Sequence, residues 1–320
     1  MFHFIVNPAG ASGRTGRIFR KLEEEIRQTG KEYQVHYSSP VFGIEDICRD
    51  LTGRYENPDL VIVGGDGTMN EAVNGIRDIS QVRVGYIPAG SGNDLARGLG
   101  LPADRMEILH AVLEGKVRRC MDVGQTEFFT VYDRNDRCPK AFESDVPVIR
   151  RWNVSSGIGF DAHICQKAEA SKAKKILNRL YLGKLIYVGV AANIVLTEKK
   201  VPFEIRTDAG TLHLNDCLFA VGMNQPYEGG GFRFCPSAED NDGKLSVCTA
   251  DHVRQIDFFR IFPYAYSGNH LKFEGVETFD TESMEIRTAE PLWVHTDGEI
   301  ACMSDHVRMS INEQQLQLLM

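Results

Sequence analysis

The first 120 or so residues alternate short apolar runs with segments whose apolar residues recur at helical spacing. Four strands are predicted, at Phe2–Val6, Tyr33–Tyr37, Asp59–Val63 and Val82–Ile87. Helices are predicted for the segment of Ile18, Leu22 and Ile26 up to Gly30, for Ile44–Leu51 and Asn70–Ile76, and from Asp94–Gly98 onward. Strands that alternate with helices form a parallel sheet covered on both faces. We therefore expect a Rossmann-like α/β domain over residues 1–122.

After about Asp122, strand patterns follow one another, many with period-two alternation. Strands are predicted at Phe128–Tyr132, Trp152–Ile158, Pro202–Thr207, Leu212–Val221, Lys244–Ala250, Leu271–Phe273, Ser283–Arg287, Leu292–His295 and Val307–Ile311. Helical segments interrupt them at Ala162–Leu196 and Gln255–Tyr264. The pattern predicts a mostly antiparallel β-sandwich domain over residues 123–320, whose last ten residues could pack back on the first domain. The boundary has no linker composition, so we expect close packing with a cleft between the domains.

Composition and charge narrow the class of protein. The chain has 320 residues, of which 42% are hydrophobic and 25% charged, as in ordinary globular proteins. The net charge of −8 argues against nucleic acid as the main partner. The start of the sequence has no basic region of a signal peptide, and no apolar run reaches about 18 residues. We expect a cytoplasmic protein whose eight scattered cysteines are free thiols.

A glycine-rich turn follows the third predicted strand in "VIVGGDGTMNEAVNGI". Gly64, Gly65 and Gly67 lie where a strand leads into a helix, and backbone N–H groups at such turns bind anions. Asp66 makes the pattern more specific, because a carboxylate repels phosphate unless it holds Mg²⁺ or meets the attacking hydroxyl. The turn therefore indicates phosphoryl transfer.

Two further glycine-rich turns end neighbouring predicted strands: "NPAGASG" (Asn7–Gly13) and "PAGSGND" (Pro88–Asp94). Three such turns at the carboxyl edge of one parallel sheet mark the crevice where open α/β sheets bind ligands. Neither the G-x-G-x-x-G spacing nor the P-loop spacing occurs at these turns. We expect the nucleotide to be held in another way.

Together, "GGDGTMNE", "PAGSGND" and "NPAGASG" closely resemble the catalytic domain of the diacylglycerol kinase family, whose soluble bacterial members add a β-rich C-terminal domain. G-G-D-G-T alone is shared with NAD kinases and 6-phosphofructokinases. Asn70–Glu71 and the later Ser91–Asp94 are typical of the lipid kinases. The resemblance implies ATP and Mg²⁺ as cofactors.

The resemblance also implies a set of nucleotide contacts. Ser39 lies where the family usually has a threonine that contacts the nucleotide, and Asp66 would also hold the catalytic Mg²⁺. Asn70 and Asn93 could in addition cap helices. The residues implied in ATP binding are Asn7, Ser12, Gly13, Ser39, Gly64, Gly65, Asp66, Gly67, Thr68, Met69, Asn70, Glu71, Ser91, Asn93 and Asp94.

A candidate base lies in "WVHTDGEI". An acceptor hydroxyl needs a group that takes its proton, which contributes roughly 10²–10⁴ in rate. A D-G pair after a strand could be only a hairpin turn, but the stretch resembles the D-G-E of lipid kinases, which implies Glu299 as the base. Asp297 and His295 are secondary candidates. Asp122, in "MDVG", matches a family carboxylate that works with the base.

Acidic residues and Gly243 precede a predicted strand in "PSAEDNDGKLSV", which suits a hard cation or a simple hairpin turn. The equivalent loop of the bacterial lipid kinases carries a structural Mg²⁺. The resemblance implies ligands from the Glu239 backbone, the Asp242 side chain and the Lys244 backbone.

A basic segment extends from Lys167 to Lys184 and is followed by the apolar residues 185–196. It could be a solvated face, or a surface that docks peripherally on anionic lipid at the inner face of the membrane.

The main hypothesis is an ATP- and Mg²⁺-dependent kinase that phosphorylates the hydroxyl of diacylglycerol or a similar lipid. Sphingoid bases, phosphatidylglycerol and an undecaprenol-like alcohol remain open as acceptors, and edge strands could pair into a homodimer. The alternatives are a kinase of NAD or another soluble alcohol, or a nucleotide-binding regulatory protein. The N-E motif that NAD kinases carry well after G-G-D-G-T does not occur separately here.

Overall fold

A computed structural model describes residues 1–132, 148–170, 194–195 and 199–320. The chain divides into two compact units. The first unit contains Met1–Val123 and Glu313–Met320, and the second contains Gly124–Asn312. The helical segment predicted at Ala162–Leu196 lies largely outside the described residues, as does most of the basic segment.

The first unit is a six-stranded sheet with helices between its strands. Its strands are β1 (Phe2–Val6), β2 (Tyr33–Tyr37), β3 (Asp59–Gly64), β4 (Arg83–Pro88), β5 (Val117–Met121) and β15 (Leu316–Leu319). Its helices are α1 (Gly10–Thr29), α2 (Ile44–Arg54), α3 (Asp66–Gly75), α4 (Asp94–Gly98) and α5 (Arg105–Leu113). The sheet order is β2-β1-β3-β4-β15-β5. Strands β1 to β4 are mutually parallel, and β15 is parallel to β4 but antiparallel to β5.

The apolar pattern of the sequence accounts for this core. Every residue of β3 is buried, as expected for a central strand of a parallel sheet covered on both faces. On α1, Phe19, Leu22 and Ile26 recur at helical spacing and are buried in one apolar cluster with β1 and β3.

Helix α3 begins four residues earlier than the sequence predicted. Gly65 is its extended N-cap residue, so the helix starts at Asp66 directly after strand β3. The prediction that Asn70 caps this helix is wrong, because Asn70 lies inside the helix and is 1% exposed. The sequence did not indicate the first turn of this helix, because the turn is rich in glycine and glycine has a low helix propensity.

In the part of the chain that the structure describes, the second unit forms a nine-stranded sheet. Its strands are β6 (Gly124–Phe128), β7 (Val148–Trp152), β8 (Ser155–Gly159), β9 (Val201–Thr207), β10 (Gly210–Met223), β11 (Leu245–Asp251), β12 (Val276–Thr281), β13 (Ser283–Thr296) and β14 (Glu299–Ile311). The order is β12-β11-β10-β8-β13-β14-β6-β7, with β9 paired to β10 and β13. All these pairings are antiparallel. Among the described residues, the helices α6 (Phe160–Ala170) and α7 (Gln255–Ala265) accompany the sheet. The predicted fold class, a parallel α/β unit followed by an antiparallel β unit, is confirmed.

Several predicted strands differ in detail. Leu271–Phe273 was predicted as a strand, but Asn269–Lys272 form a 3₁₀ turn. The two predicted strands after Glu282 are one strand, β13, with a register shift between Arg287 and Leu292. That irregularity contains Pro291, which cannot donate a ladder hydrogen bond.

The seven cysteines within the described residues are free, as predicted. Within the described parts of the chain, no helix is long and apolar enough to span a membrane.

Gly75 at the end of α3 gives a test of the helix packing. A Cβ on Gly75 would lie 2.2 Å from the Glu45 backbone oxygen of α2. Gly75→Ala should therefore lower the free energy of unfolding by about 1–3 kcal/mol. In a helix without such a close neighbour, alanine would instead be about 1 kcal/mol more favourable than glycine. Urea unfolding followed by circular dichroism measures this change.

The matched control is Gly53→Ala on α2. A Cβ there would meet only the end of the flexible Arg77 side chain, at 2.9 Å. We expect Gly53→Ala to be neutral or stabilising by up to about 1 kcal/mol. Equal effects of the two substitutions would contradict the close contact between the helices.

Candidate active site

The three glycine-rich turns lie together at one edge of the first unit's sheet. Strands β1, β3 and β4 are neighbours and parallel, so their carboxyl ends meet. The Ala89 N–H donates to the Gly64 carbonyl at 2.7 Å, and Arg14 Nη2 donates to the Gly90 carbonyl at 2.8 Å. Backbone and side-chain hydrogen bonds thus connect all three turns.

The turns after β3 and β4 meet backbone to backbone. A Cβ on Gly65 would lie 3.0 Å from the Gly90 Cα, and a Cβ on Gly90 would lie 2.6 Å from the Gly65 Cα. Any larger residue at Gly90 would separate the turns. The glycines therefore permit the close approach of two main chains, which leaves a surface of backbone without side chains.

The turn after β1 is tight and partly left-handed. Ala11, Ser12 and Gly13 have φ values of 49°, 58° and 81°. The Gly13 N–H donates to the Ala9 carbonyl, and the Gly10 N–H donates to the Asn7 carbonyl, both at 3.1 Å. The Ser12 side chain is exposed at this edge of the sheet.

Asp66 connects the turn after β3 to helix α4. Its Oδ2 accepts the Asp94 N–H at 3.1 Å, and its Oδ1 accepts the Leu95 N–H at 3.2 Å. Asp66 therefore caps α4, where the partial positive charge of the helix N-terminus favours an anion.

A second carboxylate lies beside Asp66. A Cβ on Gly92 would be 3.2 Å from Asp66 Oδ2 and 3.6 Å from Asp94 Oδ2, so both carboxylates flank Gly92. Asp94 is 7% exposed and forms an ion pair with Arg97. Each carboxylate oxygen has more than one lone pair, so an oxygen that accepts a backbone N–H can also bind a cation. These oxygen donors fit a hard cation such as Mg²⁺.

Asn93 occupies the N-cap position of α4 in a left-handed conformation, with φ 54°, but its side chain makes no capping bond. Its Oδ1 instead accepts the Gly90 N–H at 2.9 Å, and its Nδ2 donates to the Gly90 carbonyl at 3.2 Å. The interpretation of Asn93 as a capping side chain is wrong, because Asp66 supplies the cap and Asn93 closes the turn. Ser91, which lies between Gly90 and Asn93 in the turn, is exposed.

Ser39 and Glu71 lie near the start of α2. The Ser39 hydroxyl accepts the Phe42 N–H at 3.1 Å, and Ser39 itself is exposed. A Cβ on Gly43 would lie 3.9 Å from Glu71 Oε2, so the Glu71 carboxylate faces the N-terminus of α2. This position suits a carboxylate, because the N-terminal end of a helix favours negative charge.

The remaining predicted residues of α3 are largely buried. Thr68 packs against Gly64, where a Cβ would lie 2.4 Å from the Thr68 side chain. Met69 and Asn70 are 0% and 1% exposed, and Asn74 Nδ2 donates to the Asn70 carbonyl at 2.8 Å. The side chains of Met69 and Asn70 therefore face the protein interior, and Gly67 is the partly exposed residue among them.

Asp122 lies between β5 and β6 and is 2% exposed. Its Oδ1 accepts a hydrogen bond from Gln315 Nε2 at 2.7 Å, which connects it to the segment that precedes β15. Sequence analysis assigned it a part in catalysis, which stays a prediction.

In the second unit, "DGE" forms the hairpin turn between β13 and β14. Asp297 and Gly298 have φ values of 52° and 79°, and Thr296 pairs with Glu299. Two positive φ values in a two-residue loop are typical of a type I′ turn. Glu299 is the first residue of β14 and is exposed. The hairpin reading and the base assignment are thus compatible, because the turn places Glu299 on a rigid strand end.

Asp297 fixes this turn to the segment between β7 and β8. Its carboxylate accepts the backbone N–H groups of Asn153, Val154 and Ser155 at 2.7 to 3.2 Å, together with Asn153 Nδ2 at 3.2 Å. The Asp297 N–H in turn donates to the Ser155 carbonyl at 2.8 Å. The role of Asp297 seen here is structural.

His295 is fully buried between two carboxylates. Its Nε2 lies 3.0 Å from Asp161 Oδ2 and 3.2 Å from Glu228 Oε1. Burial lowers the pKa of His295, but the charge of Glu228 and the hydrogen bonds to both carboxylates outweigh burial and raise the pKa to about 10. The Gly298 N–H donates to Nδ1 at 3.1 Å, so His295 also contacts the turn before Glu299.

Within the described residues, Asp161, Glu228 and His295 are the group of potential ligands whose atoms all lie within 4.8 Å of one another. Both carboxylates lie within hydrogen-bond distance of the same ring nitrogen, Nε2, so a proton on that nitrogen can be shared between them.

The loop before β11 is a tight turn. The Asp242 carboxylate accepts the Lys244 N–H at 3.0 Å, and Gly243 has φ 73°. Glu239, Asp242 and Lys244 are exposed, whereas Asp240 is buried and accepts a hydrogen bond from Gln225 Nε2 at 2.6 Å. Exposed carboxylate and backbone oxygens are compatible with a hard cation, and the metal assignment stays a prediction.

Sequence reasoning missed three residues that hold these sites. Arg14 follows "NPAGASG" directly, and that proximity was the available signal. Asp161 and Glu228 are distant in sequence from His295, and nothing in their local patterns marks them as its partners. Only the pairing of β8 with β13 brings Asp161 to His295.

Comparison with known proteins agrees with this architecture. The diacylglycerol kinase of Bacillus subtilis (strain 168) is 26% identical over an alignment of 308 residues that covers 93% of this chain and 89% of that protein. A crystal structure of a diacylglycerol kinase from Bacillus anthracis str. Sterne has a TM-score of 0.67 at 17% identity and covers 99% of this chain and 96% of that one. An NAD kinase from Archaeoglobus fulgidus, in complex with ATP, has a TM-score of 0.50 at 13% identity and covers 100% and 94%. The two structures show a shared fold.

Two family models account for the chain in succession. Residues 1–126 match the diacylglycerol kinase catalytic domain. Residues 154–320, more than half of the chain, match the YegS C-terminal NAD kinase beta sandwich-like domain. The chain therefore belongs to the diacylglycerol kinase family, in the group whose members join these two domains.

Proposed function

We propose that this protein transfers the γ-phosphoryl group of ATP to the hydroxyl of diacylglycerol or a similar lipid, and that it requires Mg²⁺. One observation carries the proposal: three glycine-rich turns are joined at one sheet edge around the anchored Asp66, in a chain of the diacylglycerol kinase family. A phosphorylated lipid, such as phosphatidic acid, and ADP would be the products.

The nucleotide would lie against the turns. The contact between Gly65 and Gly90 leaves backbone exposed without side chains, so phosphate oxygens could approach the main chain closely. The exposed hydroxyls of Ser12, Ser39 and Ser91 would supply hydrogen bonds around them. The turn at Asn7–Gly13 would form the other wall of the nucleotide site.

Asp66, with Asp94 beside it, would hold Mg²⁺. The cation would neutralise the charge of the phosphates during transfer. The protein's own contribution is preorganisation: two backbone N–H groups fix the Asp66 carboxylate, and Arg97 fixes Asp94. A second Mg²⁺ of structural function would bind the loop of Glu239, Asp242 and Lys244.

Glu299 would act as the general base. It is exposed at the start of β14, so an acceptor hydroxyl can reach its carboxylate. The hydroxyl oxygen forms the new bond to phosphorus, its proton passes to Glu299, and the bond from phosphorus to ADP breaks. Asp122 would assist the base, as the family resemblance implies.

An acceptor that resides in a bilayer requires an enzyme that works at its surface. We therefore propose a cytoplasmic protein that associates peripherally with the inner face of the membrane.

NAD is the acceptor of a second candidate function, because the fold is shared with an NAD kinase at a TM-score of 0.50. The domain pair favours the lipid. A regulatory protein that binds nucleotide without transfer is the non-enzymatic alternative.

An acceptor panel tests the proposal. Radiolabelled ATP is incubated with the protein and with micelles of diacylglycerol, a sphingoid base, phosphatidylglycerol or undecaprenol, and separately with NAD. We expect label in a lipid product, dependent on Mg²⁺ and abolished by EDTA. Asp66→Asn should transfer at background level. Label only in NAD, or saturable ATP binding without transfer to any acceptor, would contradict the lipid kinase assignment.

Glu299→Gln tests the base. Losing a general base should lower kcat by about 10²–10⁴, while ATP affinity changes less than twofold. Steady-state kinetics and isothermal titration with a nonhydrolysable ATP analogue measure the two effects. Glu290→Gln, which removes a carboxylate from another exposed position of the second unit, is the matched control. A Glu299→Gln enzyme with near-normal kcat would remove Glu299 from the reaction.

Asp297→Asn tests the anchoring of the Glu299 turn. The amide keeps one acceptor oxygen but turns an NH₂ group toward backbone N–H donors, so we expect a loss of about 1–3 kcal/mol in unfolding free energy. The fall in kcat should be smaller than for Glu299→Gln, because the base itself remains. Asp104→Asn is the control, since asparagine and aspartate cap equally well and Asp104 caps α5 by accepting the Met106 N–H. Unchanged stability of Asp297→Asn in urea unfolding would show that these hydrogen bonds are dispensable.

A further inference from the structure

Helix α7 is apolar on both faces. Its inner face packs Ile261 into a buried cluster of the second unit, with Phe258 against the edge of that cluster, and Ala265 on the same helix is 2% exposed. Its outer face exposes Ile256, Phe259 and Tyr264, at 66%, 43% and 41%. A helix that is hydrophobic all round is usually buried, so the exposed outer face needs an explanation.

Neighbouring residues extend this exposed face. Tyr266 is 57% exposed just after the helix, and Leu271 in the following 3₁₀ turn is 37% exposed. The Tyr264 and Phe273 rings lie edge to face at 5.3 Å between centroids, which connects the helix to that turn. We call this set the α7 surface; its members are Ile256, Phe259, Arg260, Tyr264, Tyr266, Leu271 and Lys272.

Two cations lie within the α7 surface on aromatic rings. Lys272 Nζ is 3.7 Å from the centroid of the Tyr264 ring, and Arg260 Cζ is 5.5 Å from that of Phe273. Neither cation forms a salt bridge with any described carboxylate, whereas Arg254 pairs with Asp257 at 2.6 Å. The α7 surface thus presents apolar side chains and two cations that take part in no salt bridge among the described residues.

The charge of the α7 surface determines which kind of partner it can bind. The chain as a whole carries −8 and is repelled by an anionic surface, but charges beyond about 10 Å are screened at 0.1 M salt. A local basic and apolar surface is therefore what could bring such a chain to an anionic membrane. A second copy fits less well, because a twofold interface would bring this basic surface against the same basic surface of the other copy.

We propose that the α7 surface docks the protein on an anionic lipid bilayer. Phe259 and Ile256 would enter the acyl boundary, and Tyr264 and Tyr266 would lie at the headgroups, as aromatic residues do at membrane interfaces. Arg260 and Lys272 would meet the lipid phosphates. The choice of a bilayer as occupant rests on the proposed lipid acceptor, but docking itself requires no turnover.

Vesicle sedimentation without ATP tests the proposal. The full-length protein is mixed with vesicles of phosphatidylcholine, with or without phosphatidylglycerol. We expect binding to the anionic vesicles and little to the neutral ones. The double variant Arg260→Gln/Lys272→Gln should lower the partition coefficient about 25-fold, since each cation near the surface contributes about fivefold. Ile256→Ser/Phe259→Ser should lower it at least tenfold through lost apolar burial.

Matched controls remove similar groups elsewhere in the second unit. Leu212→Ser changes an apolar residue that is 38% exposed in the hairpin of β9 and β10, and Arg287→Gln removes an exposed cation of β13. Both should bind vesicles like the unaltered protein. Because all substituted side chains are at the surface, circular dichroism should show folded variants with similar melting temperatures.

Three results would overturn the docking proposal: no binding of the unaltered protein to anionic vesicles, full binding by both double variants, or equal loss in the controls. Conversion of a dimer to a monomer by Ile256→Ser/Phe259→Ser in sedimentation velocity would instead assign the surface to contact between copies. An acceptor assay separates this question from the kinase assignment. Vesicle binding with the expected variant pattern but no transfer to any acceptor would leave docking intact and contradict the kinase.

Discussion

The close contact of two backbones, at Gly65 and Gly90, is the constraint on which the candidate nucleotide site depends. Parallel strands bring their carboxyl ends to one edge, but side chains normally keep the following turns apart. Here the absence of Cβ atoms lets one turn touch the other, and the contact places Asp66 within reach of the α4 amides. The exposed serines and the first turn are arranged around that contact.

Both units use a carboxylate to hold a turn in place. Asp66 accepts backbone N–H groups from α4, and Asp297 accepts three from the segment between β7 and β8. A charged acceptor bonded to several amides is stronger than a neutral one. Asp66 therefore orders the start of α4, which contains Asp94, and Asp297 orders the turn that precedes Glu299. A carboxylate beside a glycine can serve structure and chemistry together, which explains why the turn reading and the catalytic reading of "DGE" do not exclude each other.

Local pattern predicted the class of fold and most element positions, because the apolar runs of the first unit and the alternation of the second each match one kind of sheet. It failed where glycine or proline interrupts a continuous element, at the start of α3 and inside β13, and also at Leu271–Phe273, where a 3₁₀ turn stands in place of the predicted strand. The glycine turns could be located from sequence, since strand order dictates their meeting. The partners of His295 could not, because they depend on which distant strands pair. The sequence also could not show that Asp66 and not Asn93 supplies the capping side chain of α4, because aspartate and asparagine cap helices equally well.

The position of β15 has a consequence for how the protein folds. This strand lies between β4 and β5, yet along the chain it follows the entire second unit. During synthesis on the ribosome, β4 and β5 therefore lack β15, the strand that pairs with both, until almost 200 further residues have been made. The first unit, although begun first, is completed last, and its final pairing closes a loop as long as a domain. The last strand of the nucleotide-site scaffold therefore becomes available only after the unit that carries Glu299 has been synthesised.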